Sequence, residues 1–304
     1  MSPILTVEGL KKSYGNILAV KGIDFYVEEG AFFAFLGPNG AGKSTTIDML
    51  CTLLKPDGGQ AEIDGKALGK NDEAIRSRIG VVFQNNLLDE LLTVRENLLV
   101  RASLYGIAGA KRKAAIENAA RAADVAEFLD RPYGELSGGQ KRRADIARAL
   151  VHTPKILFLD EPTTGLDPQT RRNVWDTVHQ LQSESGMTVF LTTHYMEEAE
   201  KADTITIIDN GLIAAKGTPE QLEKDYTADS LNLYPANEEA LSALLTADGI
   251  PFTPEAGHLY ITLKHTMDAL PILEKYRSEI IDFEVHNGTM DDVFVQITGE
   301  AIRE

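Results

Sequence analysis

The chain has a single cysteine and no apolar run near the roughly 18 residues that a membrane-spanning helix needs. One thiol excludes an intrachain disulfide. Cys51 falls among Met49, Leu50, Leu53 and Leu54, so it reads as a buried structural thiol rather than a reactive one. The N-terminus lacks a basic-then-apolar leader pattern, which predicts a cytoplasmic protein. Positive charge is also scarce: 30 Lys and Arg stand against 46 Asp and Glu, a net charge of −16. Nucleic-acid binding calls for a basic face that neutralises phosphates, so no direct nucleic-acid partner is expected. Residues 225 to 304 carry 15 acids and 4 bases, or −11 of the −16, and this asymmetry predicts two units. At 304 residues the chain is long enough for both.

What is present centres on Gly37-Pro38-Asn39-Gly40-Ala41-Gly42-Lys43-Ser44-Thr45, a match to G-x-x-x-x-G-K-[ST]. Glycines let successive backbone N–H groups turn inward around phosphate oxygens, Lys43 adds a cation, and Ser44 offers a hydroxyl to Mg²⁺. The apolar run Ala31 to Leu36 reads as a strand covered on both faces, and the helix opening near Ser44 brings its positive dipole end to the same point. Kinase, GTPase, helicase and transport ATPase all remain open on this loop alone.

Before it, Ile4 to Leu10 and Ile23 to Val27 alternate as half-buried antiparallel strands about a Ser13-Tyr14-Gly15-Asn16 turn, where Tyr14 could offer its ring to adenine or simply pack. After it, Ile79 to Phe83 is a strand ending at Gln84. Leu87 to Leu104 and Lys111 to Leu129 read as helices, a strandless block that ends in Leu136-Ser137-Gly138-Gly139-Gln140 and the helix Lys141 to Val151. A serine and two glycines opening a helix make a second anion site from free amides, a hydroxyl cap and a dipole.

Ile156 to Leu159 is another buried strand, ending at Asp160 and Glu161. Beside phosphates, Asp160 suits a water-mediated hold on Mg²⁺ and Glu161 the deprotonation of an attacking water. A turn through Gly165-Leu166-Asp167 leads into the helix Gln169 to Ser183, and the strand Thr188 to Thr193 ends at His194, placed to donate to a γ-phosphate. Ligands of parallel α/β sheets lie outside the carboxyl ends of the strands, so these four strand ends are expected to converge on one nucleotide.

In order and spacing, these motifs over residues 1 to 224 resemble the nucleotide-binding cassette of ABC transporters, with Leu136 to Gln140 as the most discriminating match. The resemblance implies a P-loop NTPase core with a mostly parallel sheet, an N-terminal antiparallel β subdomain, and a helical signature subdomain at about 87 to 150. It implies ATP and Mg²⁺ as ligands, Tyr14 stacked on adenine, Gly37 to Thr45 around the phosphates, and Ser44, Gln84 and, through water, Asp160 at the metal. Glu161 becomes the general base, assisted by Lys43 and His194. Ser137, Gly138, Gly139 and Gln140 cap the γ-phosphate of a second copy, with Asp167 at the dimer seam. A separate multi-span permease would carry the channel, and the chain would sit on the inner face of the membrane. A soluble, non-transport ABC ATPase acting on ribosomes or nucleic acid is the alternative.

Beyond Thr204 to Ala215, a hairpin about Asp209-Asn210-Gly211, and a short helix at Gly217-Thr218-Pro219-Glu220, residues 225 to 304 read as a small α+β domain. It would hold strands at 231–233, 258–263 and 280–285 and helices at 237–247, 267–277 and 289–298. Its end, Met290 to Gly299, resembles the terminus of drug-resistance ATPases of the daunorubicin-exporter type, which tilts the expected direction toward export.

Overall fold

A computed structural model describes residues 3–255 and 257–299. Packing divides the chain between Thr218 and Pro219.

The first unit is built on a six-stranded sheet. Its strands run in the order Leu212–Gly217, Thr204–Asp209, Phe32–Leu36, Thr188–Thr193, Ile156–Asp160, Ile79–Val82, and all but the first are parallel. Phe32–Leu36, Ile156–Asp160 and Thr188–Thr193 are buried along their whole length, as central strands flanked on both edges are. Phe33, Phe35, Phe158 and Phe190 cluster on one face with Phe25, ring centroids 5.0–6.4 Å apart. Phe25 comes from the second sheet, an antiparallel layer in the order Ile17–Glu28, Pro3–Tyr14, Gly58–Ile63, Lys66–Ala67. The hairpin strands run further than expected, so the turn is Gly15-Asn16 alone and Tyr14 ends a strand. Cys51 closes the P-loop helix Lys43–Leu50 and is buried, with its thiol pushed up by that burial.

The strandless block contains the helices Val94–Leu104, Gly109–Ala122 and Gly138–Leu150. The first starts seven residues later than the apolar pattern suggests. Thr93 and Glu96 form a capping box there, and Asn97 ties down the preceding loop by donating to Asp89 O at 3.0 Å and accepting from Asp89 N at 2.8 Å. The expected helix at 111–129 likewise stops at Ala122, and a short 3-10 turn, Ala126–Phe128, follows.

Beyond the signature helix, His152 donates from Nε2 to Ile79 O at 2.9 Å and stacks on Tyr105 at 4.0 Å, while its Nδ1 has no partner. Burial, with Arg101 and Arg148 nearby, lowers its pKa from 6.5 to about 4, against the pull of the Ile79 carbonyl. The unfolded chain therefore takes up this proton first as pH falls. The stability held by the neutral ring is complete above about pH 6.5 and is lost toward pH 4, at most about 3 kcal/mol. Urea unfolding of His152→Gln at pH 7.5, 5.5 and 4.5 should show a shallower fall than the parent; parallel curves would remove His152 as a source of acid sensitivity.

The second unit is an antiparallel sheet in the order Thr253–Glu255, His258–Leu263, Asp229–Pro235, Ile280–His286. Leu259, Ile261 and Leu263 alternate inward and pack with Leu231, Leu233, Leu241 and Leu245. Thr289 and Asp292 form a capping box on the helix Met290–Thr298, which packs against Pro219–Tyr226. Thr253–Glu255 was not expected, since it is short, exposed and contains Pro254. The helix expected at 267–277 is a 3-10 turn, Thr266–Asp268, followed by Ala269–Lys275.

Candidate nucleotide site

The strand Phe32–Leu36 runs into the loop Gly37–Gly42, and the helix Lys43–Leu50 opens directly behind it. Gly42 is the N-cap at φ 110°, and a Cβ there would stand 2.7 Å from Ala19 O, so the position demands glycine on both counts. No side chain caps this helix and no acid occupies its first turn. Its leading amides are therefore available to an anion.

Lys43 is 4 % exposed and folds back to donate to Gly37 O at 2.6 Å and Pro38 O at 3.1 Å. Burial draws its ammonium below the ordinary value, opposed by the neighbouring Glu161 and Asp160 carboxylates. Nζ lies 3.6 Å from Glu161 Oε1. Asp160 is nearly buried and accepts from Thr192 Oγ1 at 2.5 Å. Its burial raises the carboxyl's pKa; Thr192 opposes that shift, Glu161 adds to it, and Lys43 and Ser44 oppose it further.

Glu161 is one of six non-glycine residues with left-handed backbone, at φ 44°, among the described residues. This turn after the strand throws its carboxylate toward the loop: Oε2 lies 3.4 Å from Gln84 Nε2, 3.4 Å from Thr164 Oγ1 and 3.5 Å from His194 Nδ1. These groups, with Asn39, Gly40, Gly42, Lys43, Ser44, Thr45 and Ala19, line one cavity of about 560 Å³. Three strand ends and the P-loop thus meet in space as the topology predicts. The oxygen-only set of Ser44, Asp160 and Gln84 is of the kind that suits Mg²⁺.

Tyr14 is half exposed and is not among the residues lining the cavity; Ala19 is what the antiparallel sheet contributes. The signature residues stand elsewhere too. Ser137 accepts from Gln140 N at 3.4 Å and Gln140 returns to Ser137 N at 3.1 Å, a reciprocal cap that leaves Ser137 and Gly138 exposed. Gly139 is buried because a Cβ would stand 2.2 Å from Thr170 Cγ2, so its immediate reason is close helix packing. Asp167 caps the helix Pro168–Ser185 by accepting from Gln169 N and Thr170 N at 3.1 and 3.0 Å, and these bonds with the Thr170 hydroxyl hold its carboxyl low.

Sequence reasoning missed Thr164 and Glu198. Thr164 had a signal in its spacing, three residues after Glu161 in a tight turn. Glu198 had none, since nothing in its neighbourhood distinguishes it from the surface acids Glu197 and Glu200.

Residues 20–164 match the family model described as ABC transporter. The daunorubicin resistance ATP-binding protein DrrA3 of Streptomyces coeruleorubidus is 36 % identical, over 97 % of this chain and 96 % of that protein. The Nod factor export ATP-binding protein I of Ralstonia nicotianae is 36 % identical over 100 % and 96 %. Among solved structures, the dimeric post-hydrolysis state of the ATP-binding cassette MJ0796 with ADP and Pi superposes with a TM-score of 0.63 at 30 % identity, covering 70 % of this chain and 98 % of that one. CbiO1 of Clostridium perfringens, part of an ABC transporter complex, gives 0.67 at 29 %, covering 81 % and 96 %.

Proposed function

Because the chain belongs to the ABC transporter family, as an ATP-binding subunit of its exporter-type members, we propose that it is the ATP-hydrolysing motor of an exporter, closing head to tail with a second copy on two ATPs to drive a separate permease. The observation that carries this is the meeting of Lys43, Gln84, Glu161, Thr164 and His194 around one cavity at the uncapped opening of the P-loop helix. Glu161 takes the proton of the attacking water, Lys43 and His194 hold the γ-phosphate, and Asp167 lies at the seam between copies. Ser44, Gln84 and, through water, Asp160 would hold Mg²⁺, which would supply positive charge against the phosphates. The exposed Ser137 and Gly138 support a shared site, since no signature residue lines the P-loop cavity of its own chain. Tyr14 reaches adenine from the hairpin end. Residues 1–224 form the motor, and 225–304 an accessory domain.

A groove of about 560 Å³ next to Gln84 supports the permease reading. Leu53, Leu87 and Leu104 line it and are 60, 53 and 75 % exposed. Exposed leucines at a concave surface mark an interaction site more readily than scattered ones do. Among the described residues no helix is long and apolar enough to cross a membrane, so the groove is the proposed seat for the permease's cytoplasmic helices. On this reading the chain sits peripherally on the inner membrane face.

The test is affinity capture of the full chain from detergent-solubilised membranes of its own cell. Recovery of a multi-span protein is expected, and Leu104→Arg should lower it about tenfold or more with ATP affinity unchanged, because a charge enters a desolvated contact. Recovery of ribosomes in its place, or capture indifferent to Leu104, contradicts the docking.

A further inference from the structure

Glu198 sits on the short helix Met196–Ala199, four residues after His194, and is 3 % exposed. Its carboxylate accepts three side-chain hydrogen bonds: from Thr163 Oγ1 and, at 3.1 Å, Trp175 Nε1 at Oε1, and from Thr193 Oγ1 at 2.6 Å at Oε2. The donors stand on three segments. Thr163 is in the turn directly behind Glu161, Trp175 is on the helix that Asp167 caps, and Thr193 is the last residue of the strand before His194. The Thr193 hydroxyl also accepts from Tyr195 N at 3.0 Å, so the backbone is pinned on both sides of His194. Glu161 and His194 themselves only approach, at 3.5 Å, and the His194 Nδ1 has no hydrogen-bond partner among the described residues. Each is held from behind.

We propose that Glu198 is a positioning residue for hydrolysis, fixing the separation and aim of the Glu161–His194 pair through Thr163 and Thr193. A carboxylate suits the task because it is acceptor-only, with capacity for several donors at once. A glutamine can keep its oxygen toward Thr163 and Trp175, but its NH₂ then faces the Thr193 hydroxyl, which can no longer donate there, so one buried donor loses its acceptor. The cost falls on geometry, since displacement of a catalytic pair by about 1 Å is enough to lose roughly 10²-fold in rate. The inference rests on the reading of Glu161 as the base.

Its test is single-turnover hydrolysis and equilibrium ATP binding by the full chain. Glu198→Gln is expected to lower the hydrolysis rate about 10- to 100-fold while the ATP dissociation constant stays within about twofold. In a Glu161→Gln background the same change should cost less than about threefold, because the group being aimed is already gone. Thr193→Val keeps the shape and the Thr163 and Trp175 bonds while removing both bonds of the Thr193 hydroxyl, to Glu198 and from Tyr195 N, so it reads the Thr193 anchor even if Glu198→Gln unfolds, and should also lower the rate at unchanged affinity. An undiminished rate in Glu198→Gln or Thr193→Val, or an equal loss in the Glu161→Gln background, overturns the proposal. Parent-like turnover by Glu161→Gln alone strikes at the base assignment instead, so the two failures are told apart.

Discussion

Glu161→Gln is expected to lower steady-state phosphate release about 10²- to 10³-fold while ATP affinity stays within about threefold. The amide keeps the volume of the carboxylate and remains able to bond Gln84 and Thr164, which stand 3.4 Å away. What it loses is the capacity to accept a proton from water. It also removes the negative charge 3.6 Å from Lys43, a cation already drawn down by burial. A bound γ-phosphate supplies that anion in its place, so binding survives while the chemistry stops. Phosphate release near the parent rate would remove Glu161 from the role, and a parallel loss of affinity would assign it to binding instead.

Much of this site can be read from residues alone because its parts are tied to strand ends. Phe32–Leu36, Ile156–Asp160 and Thr188–Thr193 are fully buried strands, and each ends within three residues of a polar group that lines the cavity. Once the sheet is parallel, sequence order becomes spatial convergence. The signature was legible as a helix N-terminus for the same local reason, and Ser137 and Gln140 do cap it.

The misreadings share a different physics. Leu87 to Leu92 looks like the first turns of a helix because exposed leucines at this spacing have the same composition as ones facing a core. Leu87 and Leu91 are 53 and 90 % exposed, and Asn97 rather than burial sets that loop. Thr253–Glu255 is held by antiparallel pairing with the next segment, His258–Tyr260, and pairing of an exposed, proline-bearing strand leaves no periodic trace. Glu198 is the clearest case. Its partners lie 35, 23 and 5 residues away, and only the fold assembles them.

The second large effect concerns assembly. Within one chain the P-loop cavity is lined without any signature residue, while Ser137 and Gly138 open a 13-residue helix toward solvent. On the shared-site account each ATP joins the P-loop of one copy to the signature of the other, so bound nucleotide is the adhesive. Hydrolysis normally dissolves it. Glu161→Gln should therefore accumulate the closed pair, converting from monomer to dimer as ATP and Mg²⁺ saturate the site, with half-conversion near the ATP dissociation constant. Lys43→Ala, which lacks the phosphate cation, should remain monomeric under the same conditions.

Sedimentation velocity of Glu161→Gln at saturating ATP and Mg²⁺, beside the same sample in ADP, tests the shared site most directly. The account predicts a dimer in ATP and a monomer in ADP. A monomer in ATP, with nucleotide shown bound to every chain, would contradict it.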